Sequence, residues 1–176
     1  ISLIFSIYLL NGLVSKENKL KFVSGFTPPV FYSLFSNTND CPLNLDCYKN
    51  FKAAREKAKS QNKPILIDFT GWACVNCRRV EEKIWSNLEV YDILKNKFII
   101  SSLYVDDRKK LSPDESFNFK FQDGRIKKIR TVGEKWSTFQ LQNFNSASQP
   151  YYIMIHPNGR ILNYPIQYTS SVNKYR

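Results

Sequence analysis

Histidine occurs once in the 176 residues, cysteine four times and glycine six times. A lone His156 and two cysteine pairs leave few ways to assemble a four-ligand zinc site, and Cys41-x5-Cys47 does not fit zinc-ribbon spacing. Acids are scarce as well: 15 Asp plus Glu stand against 26 Lys plus Arg, a net charge of +11. That imbalance suits acidic partners, anionic lipid or nucleic acid. The usual nucleic-acid-binding motifs are missing, however, and the interleaved Phe117, Phe119 and Phe121 are a weak hint of single-strand binding. A solvated basic face and no nucleic-acid partner is the reading retained. The opening apolar run, Ile1 to Val14, is shorter than the roughly 20 residues a spanning helix needs. It also lacks an initiator Met and a basic leading region, so it does not read as a signal peptide. With 43% hydrophobic residues the chain suffices for one compact domain plus a tail, and a second domain does not fit.

What the chain does have is centred on Pro64 to Glu82: an apolar strand (Ile65 to Phe69), a short turn holding Gly71, then Cys74-Val-Asn-Cys77 opening a helical pattern. At the first turn of a helix, free backbone N–H groups and the positive helix end favour a thiolate, which marks Cys74 as the nucleophile. Cys77, one turn further on, is placed to bond to Cys74, so the pair can cycle between dithiol and disulfide without a cofactor or a metal. Asp68 precedes Cys74 by six residues and Glu81 follows Cys77 by four, which puts Glu81 on the helix face of the cysteines. A carboxyl in so apolar a strand favours its acid form and can exchange a proton with Cys77. The plainer alternatives are a turn-capping Asp68, a solvated Glu81, and a Cys pair that is half of a zinc site.

Around that centre, Cys41 and Cys47 close a small loop if oxidised, a structural bond worth about 2 kcal/mol and suited to an oxidising compartment. A second redox pair is the alternative, without a strand-turn-helix setting. Tyr48 to Asn62 reads as an amphipathic helix with Tyr48, Phe51, Ala54 and Ala58 on one face. Phe98 to Val105 is a buried strand beyond a helix at Val90 to Leu94, which makes a β-α-β unit with parallel strands. Asp106 to Lys135 reads as a polar insertion, a tolerated loop or a determinant of partner choice. Trp136 to Phe144 is helical, and Tyr151 to His156 with Arg160 to Tyr164 forms an antiparallel hairpin across Pro157-Asn-Gly159. His156 falls at the far end of its strand, a packing position. Tyr168 to Arg176 looks like a final helix that begins and is cut.

Asp68-Phe-Thr-Gly-Trp-Ala-Cys-Val-Asn-Cys77 resembles the active-site segment of the thioredoxin superfamily. More closely it is similar to the C-terminal periplasmic domain of DsbD-type thiol:disulfide interchange proteins in their Bacteroidetes-like form. Leu103 to Arg108, Val132 to Gln140 and Ser148 to Tyr152 extend the similarity, which runs from Cys41 to Tyr168. The resemblance implies an α/β thioredoxin-like fold, its central mixed sheet flanked by helices, with an insertion before a cis-Pro loop at Pro150. It implies proton tuning by Asp68 and Glu81, substrate contacts from Trp72 and Pro150, and protein-disulfide reductase activity. The electron donor would be an upstream DsbD-type membrane domain, and the acceptors periplasmic thiol-disulfide proteins, including cytochrome c maturation factors. On the same ground residues 1–14 are the end of a truncated membrane helix, 15–40 a linker and 41–176 the redox domain, tethered to the bacterial inner membrane on its periplasmic side. Lys16, Lys19 and Lys21 after the apolar run point the other way. An oxidase or isomerase differs only in redox potential, which Val75-Asn76 does not reveal, and a zinc-binding or interaction module is the non-enzymatic alternative.

Overall fold

Ile65-Leu-Ile-Asp-Phe-Thr70 is buried at every position, because strand β2 has neighbours on both edges and helices over both faces. In the computed structural model, which describes residues 2–14 and 41–174, β2 runs parallel to β3 (Ile99–Tyr104) and antiparallel to β6 (Tyr151–Ile155). A short strand β1 (Cys47–Tyr48) pairs in parallel with the other edge of β3, giving a mixed sheet of order β1-β3-β2-β6. Successive side chains of β2 point to opposite faces. Ile65, Ile67 and Phe69 pack with α2 (Phe51–Gln61) and α5 (Val132–Phe144). Leu66 faces Val80, Ile84, Trp85 and Val90 on the opposite side. Asp68 shares the face of Leu66, so strand alternation alone carries a carboxyl into the layer beneath the cysteine helix.

That layer consists of α3 (Val75–Val80), a π turn (Glu81–Trp85) and α4 (Leu88–Lys97). Asn87 caps α4 by accepting the N–H groups of Glu89 and Val90. The parallel β-α-β arrangement and the sheet between helical layers agree with the expected fold.

Four boundaries differ from the sequence reading. Tyr48 lies in β1 and not in the first helix, because the Asn50 side chain accepts the N–H of Lys52 and Ala53 and starts α2 at Phe51. The polar stretch 106–135 is not one loop: it contains an antiparallel hairpin, β4 (Phe117–Lys120) and β5 (Ile126–Ile129). It also holds the start of α5, where Thr131 and Glu134 form a reciprocal capping box. After β6 the return segment makes only isolated bridges, Ile161 to Ile155 and Ile166 to Tyr152. Asn163 takes the Met154 N–H with its side chain, and Pro165 has no N–H to give. The end of the chain shows a single 3-10 turn, Val172–Lys174, in place of a helix starting at Tyr168.

At the other end, α1 (Ser2–Val14) is apolar, with Leu3 and Ile4 each 74% exposed. Among the described residues no helix is long and apolar enough to cross a membrane. The expected linker at 15–40, with its aromatics Phe26, Phe31, Tyr32 and Phe35, lies outside the described residues.

Candidate active site

β2 ends at Thr70, and Gly71 to Ala73 carry the chain to α3 with Cys74 as its N-cap residue. The Cys74 sulfur accepts the Cys77 N–H at 3.2 Å, one of the donors a helix start leaves unpaired. Cys74 and Cys77 are joined in a disulfide, Cα to Cα 5.2 Å. Their surroundings differ: Cys74 is half-buried, whereas Cys77 is fully enclosed. Of the two sulfurs, only that of Cys74 is open to a second protein.

Asp106, just beyond β3, fixes the loop in front of Cys74. Its carboxylate accepts the N–H of Trp72 at 2.8 Å and of Ala73 at 3.0 Å. Gly71 leaves room for it, since a Cβ there would sit 2.9 Å from Asp106 Oδ2. Trp72 lies against Tyr104 with ring centroids 4.0 Å apart, and the Lys49 ammonium sits 5.1 Å from the Trp72 ring. Opposite, the Gln149–Pro150 peptide bond is cis. An open cleft runs between Cys74–Asn76 and Ala147–Gln149, with Asp106 at its side. The structure thus brings Cys74 and Gln149, the residue before Pro150, to one cleft, with Trp72 on the loop that leads into it.

Asp68, Arg78 and Glu81 form a buried charge cluster between β2 and the segment that carries Cys77. Asp68 is 1% exposed and accepts Ser102 Oγ–H on Oδ2 at 3.1 Å, while Oδ1 has no hydrogen-bond partner. It caps no turn. Burial pushes its carboxyl up to about 7, against the pull of Arg78 and the Ser102 bond. Glu81 is also buried and not solvated: Arg78 Nη2 approaches its Oε1 at 2.7 Å, and burial still drives the acid up to about 8. Arg78 additionally donates to Thr70 Oγ1 at 3.1 Å. Burial likewise raises the Tyr104 phenol, which faces Arg78 and the two acids. Since one guanidinium serves two carboxyls, the pair titrates as a unit and retains a proton near neutral pH.

Two of these residues escaped the sequence reading. Arg78 belongs to Arg78-Arg79, and an arginine next to another reads as solvated. The usable signal is its i,i+3 spacing to Glu81 on the inward face. Asp106 sits at the carboxyl end of a strand parallel to β2, the edge where site residues of α/β sheets collect. His156 lies immediately after the end of β6, its Nδ1 accepting the Asn158 N–H at 3.3 Å. Cys41 and Cys47 are bonded to each other around the turn Pro42–Asn44, with Cys41 buried.

A buried mixed sheet, a Cys-x-x-Cys helix start and a facing cis-proline define a class, and the chain has a thioredoxin-like fold. Residues 46–122 match the family model described as Thioredoxin-like. Among curated proteins, the chain is similar to the thiol:disulfide interchange protein DsbD of two Campylobacter jejuni strains, 24% identical over 110 residues. The match takes in 62% of this chain and 18% of the relative, so it spans less than a fifth of that protein. Of solved structures, a DsbH oxidoreductase superposes with a TM-score of 0.50 at 17% identity, covering 79% of this chain and 85% of that one. A thioredoxin from Thermus thermophilus gives 0.50 at 14% identity over 74% and 81%.

Proposed function

We propose that the domain is a protein-disulfide reductase that works through a Cys74/Cys77 dithiol-disulfide cycle. In the reduced protein the Cys74 thiolate attacks a partner disulfide, forming a mixed disulfide and releasing one partner thiolate. Cys77 then loses its proton to the Asp68/Glu81 pair and attacks the Cys74 sulfur, which expels the second partner thiolate and restores the Cys74–Cys77 bond. Two electrons pass to the partner, and a dithiol donor must resupply them. No cofactor enters the cycle. What supports this reading is the division of the pair, with a half-buried Cys74 at a helix N-cap and an enclosed Cys77 four residues before Glu81, which like Asp68 is a buried acid with a raised pKa.

Similarity to DsbD supports the wider assignment. Residues 1–14 are read as the end of a membrane helix, 15–40 as a linker and 41–176 as the redox domain on the periplasmic side of a bacterial inner membrane. A DsbD-type membrane domain is the donor on this reading, and periplasmic thiol-disulfide proteins, cytochrome c maturation factors among them, are the acceptors. Exposed leucines and isoleucines along α1 and the Cys41–Cys47 disulfide agree with it. Trp72 and the Pro150 turn are the substrate contacts.

The deciding measurement is the equilibrium potential of the Cys74/Cys77 couple. A reductase is expected to lie below the glutathione couple, near thioredoxin. A value well above it would make the domain an oxidase or isomerase. In the same titration Cys41–Cys47 is expected to stay bonded after Cys74–Cys77 is reduced. Cys41 is buried and neither cysteine caps an α-helix, which disfavours a thiolate. Mass mapping of alkylated cysteines separates the two, and joint titration would cancel the structural role of the first pair.

A further inference from the structure

The base of the β4–β5 hairpin is tied to the segment that follows Asp106, the residue that holds the active-site loop. Asp106 holds the loop before Cys74, and directly after it the carbonyls of Asp107 and Lys109 accept the N–H of Gly133 and Val132. Leu111 donates to the Arg130 carbonyl, so the segment leaving the site is laced to the segment leaving β5. The hairpin is also anchored by one face. Ile129 is buried, Phe119 and Phe121 meet edge to face at 5.0 Å, and Lys127 pairs with Glu134 of α5 at 2.8 Å.

Its other face has a different character. The register places Lys120 opposite Ile126 and Asn118 opposite Lys128, with Arg130 one step beyond. All five are exposed, and Ile126 is 68% exposed. Of the nearby acids, Asp123 pairs with Arg125, Glu115 with Lys135 and Glu134 with Lys127, while Asp106 and Asp107 accept backbone N–H groups and Asp114 bonds to Ser112. Among the described residues no acid pairs with the side chains of Lys120, Lys128 or Arg130. Exposed Arg108, Lys109 and Lys110 carry the same sign back to the residue after Asp106 and Asp107. The result is a basic strip that starts next to Asp106 and Asp107 and ends on the β4–β5 hairpin.

We propose that this strip is a docking surface for redox partner proteins whose reactive disulfide is ringed by Asp and Glu. The inference rests on the exchange reading above and adds a partner class to it. A protein that presents a disulfide to Cys74 lies against the edge from which the strip extends, and opposite charge raises the encounter rate at that edge. Nucleic acid and anionic lipid would be drawn to the charge but have no disulfide to bring to the cleft.

The test uses the full reduced chain and two disulfide peptides of one sequence, flanked by glutamates or by lysines. At low salt the acidic peptide is expected to react at least about tenfold faster, and the difference to collapse when added salt shortens the screening length. In the triple variant Lys120→Glu, Lys128→Glu, Arg130→Glu the preference is expected to vanish or reverse. Reduction of uncharged 2-hydroxyethyl disulfide should stay unchanged, which also shows the variant is folded. Equal rates for the two peptides overturn the proposal, as does a preference that survives the triple substitution. Binding to phosphatidylglycerol vesicles without any peptide preference assigns the strip to lipid and overturns it too. If wild-type protein fails to reduce even 2-hydroxyethyl disulfide, the exchange reading itself falls.

Discussion

Cys74→Ser is expected to abolish disulfide reduction, by a factor of at least ~10³, and Cys77→Ser to accumulate a covalent adduct with the partner through Cys74. The asymmetry follows from exposure. A partner disulfide can reach the half-buried Cys74 sulfur at the helix N-cap, while Cys77 is enclosed and can attack only a neighbour already in place. Without Cys77 the mixed disulfide has no internal resolving thiol and persists. Non-reducing electrophoresis after incubation with an oxidised protein substrate reads the result directly. Adducts from Cys74→Ser would reverse the roles, and none from Cys77→Ser would remove Cys77 as the resolving thiol.

The second large effect concerns the buried trio. Arg78→Met is expected to cost about 3–5 kcal/mol of stability at and above neutral pH, because it strands two enclosed carboxyls without their cation. The cost should shrink toward acid pH, where both acids are protonated and need no counter-ion. The sign follows from linkage. The folded-state pKa of Asp68 is already raised from 3.8 to about 7, so its stabilising contribution is complete below about pH 4 and is lost as pH climbs through 7. Removing Arg78 raises both acids further and widens that window. Asp68→Asn is the contrasting variant. It lacks the ionisation and should flatten the curve, gaining up to about 4 kcal/mol over wild type above pH 7. It should also slow turnover and displace the pH-rate profile, since Cys77 loses a proton acceptor. Chemical denaturation at several pH values checks both variants. A loss for Arg78→Met that is uniform with pH would reduce Arg78 to a packing residue.

How far these features were legible in the sequence depends on which physical signal each one left. β2 and β3 announce themselves as apolar runs because burial on both faces removes any need for polar residues. The Cys-x-x-Cys helix start and its two acids were legible from spacing alone. Arg78 was not, since its burial is decided by tertiary partners, Thr70 from the strand and Glu81 from the π turn. The start of α5 was masked by Gly133, which ordinarily weakens a helix. It is glycine because a Cβ there would lie 2.6 Å from the Asp107 nitrogen. The hairpin left a period of two in Phe117, Phe119 and Phe121, but its charged, exposed partner strand hid the pairing. Trp72 and Pro150 carried no local signal of their own and were reached by family resemblance.

One bond ties the redox step to the folding of the whole domain. The Cys74 sulfur that exchanges electrons is also the acceptor that caps α3 through the Cys77 N–H. Oxidation and unfolding therefore form a closed thermodynamic cycle. Whatever free energy the folded chain adds to the dithiol over the disulfide must reappear as extra resistance of the reduced form to denaturation. A couple poised as low as a reductase requires is one whose disulfide the fold favours, so on the reductase reading the discharged, disulfide form is the sturdier protein and the domain softens when it is charged with electrons.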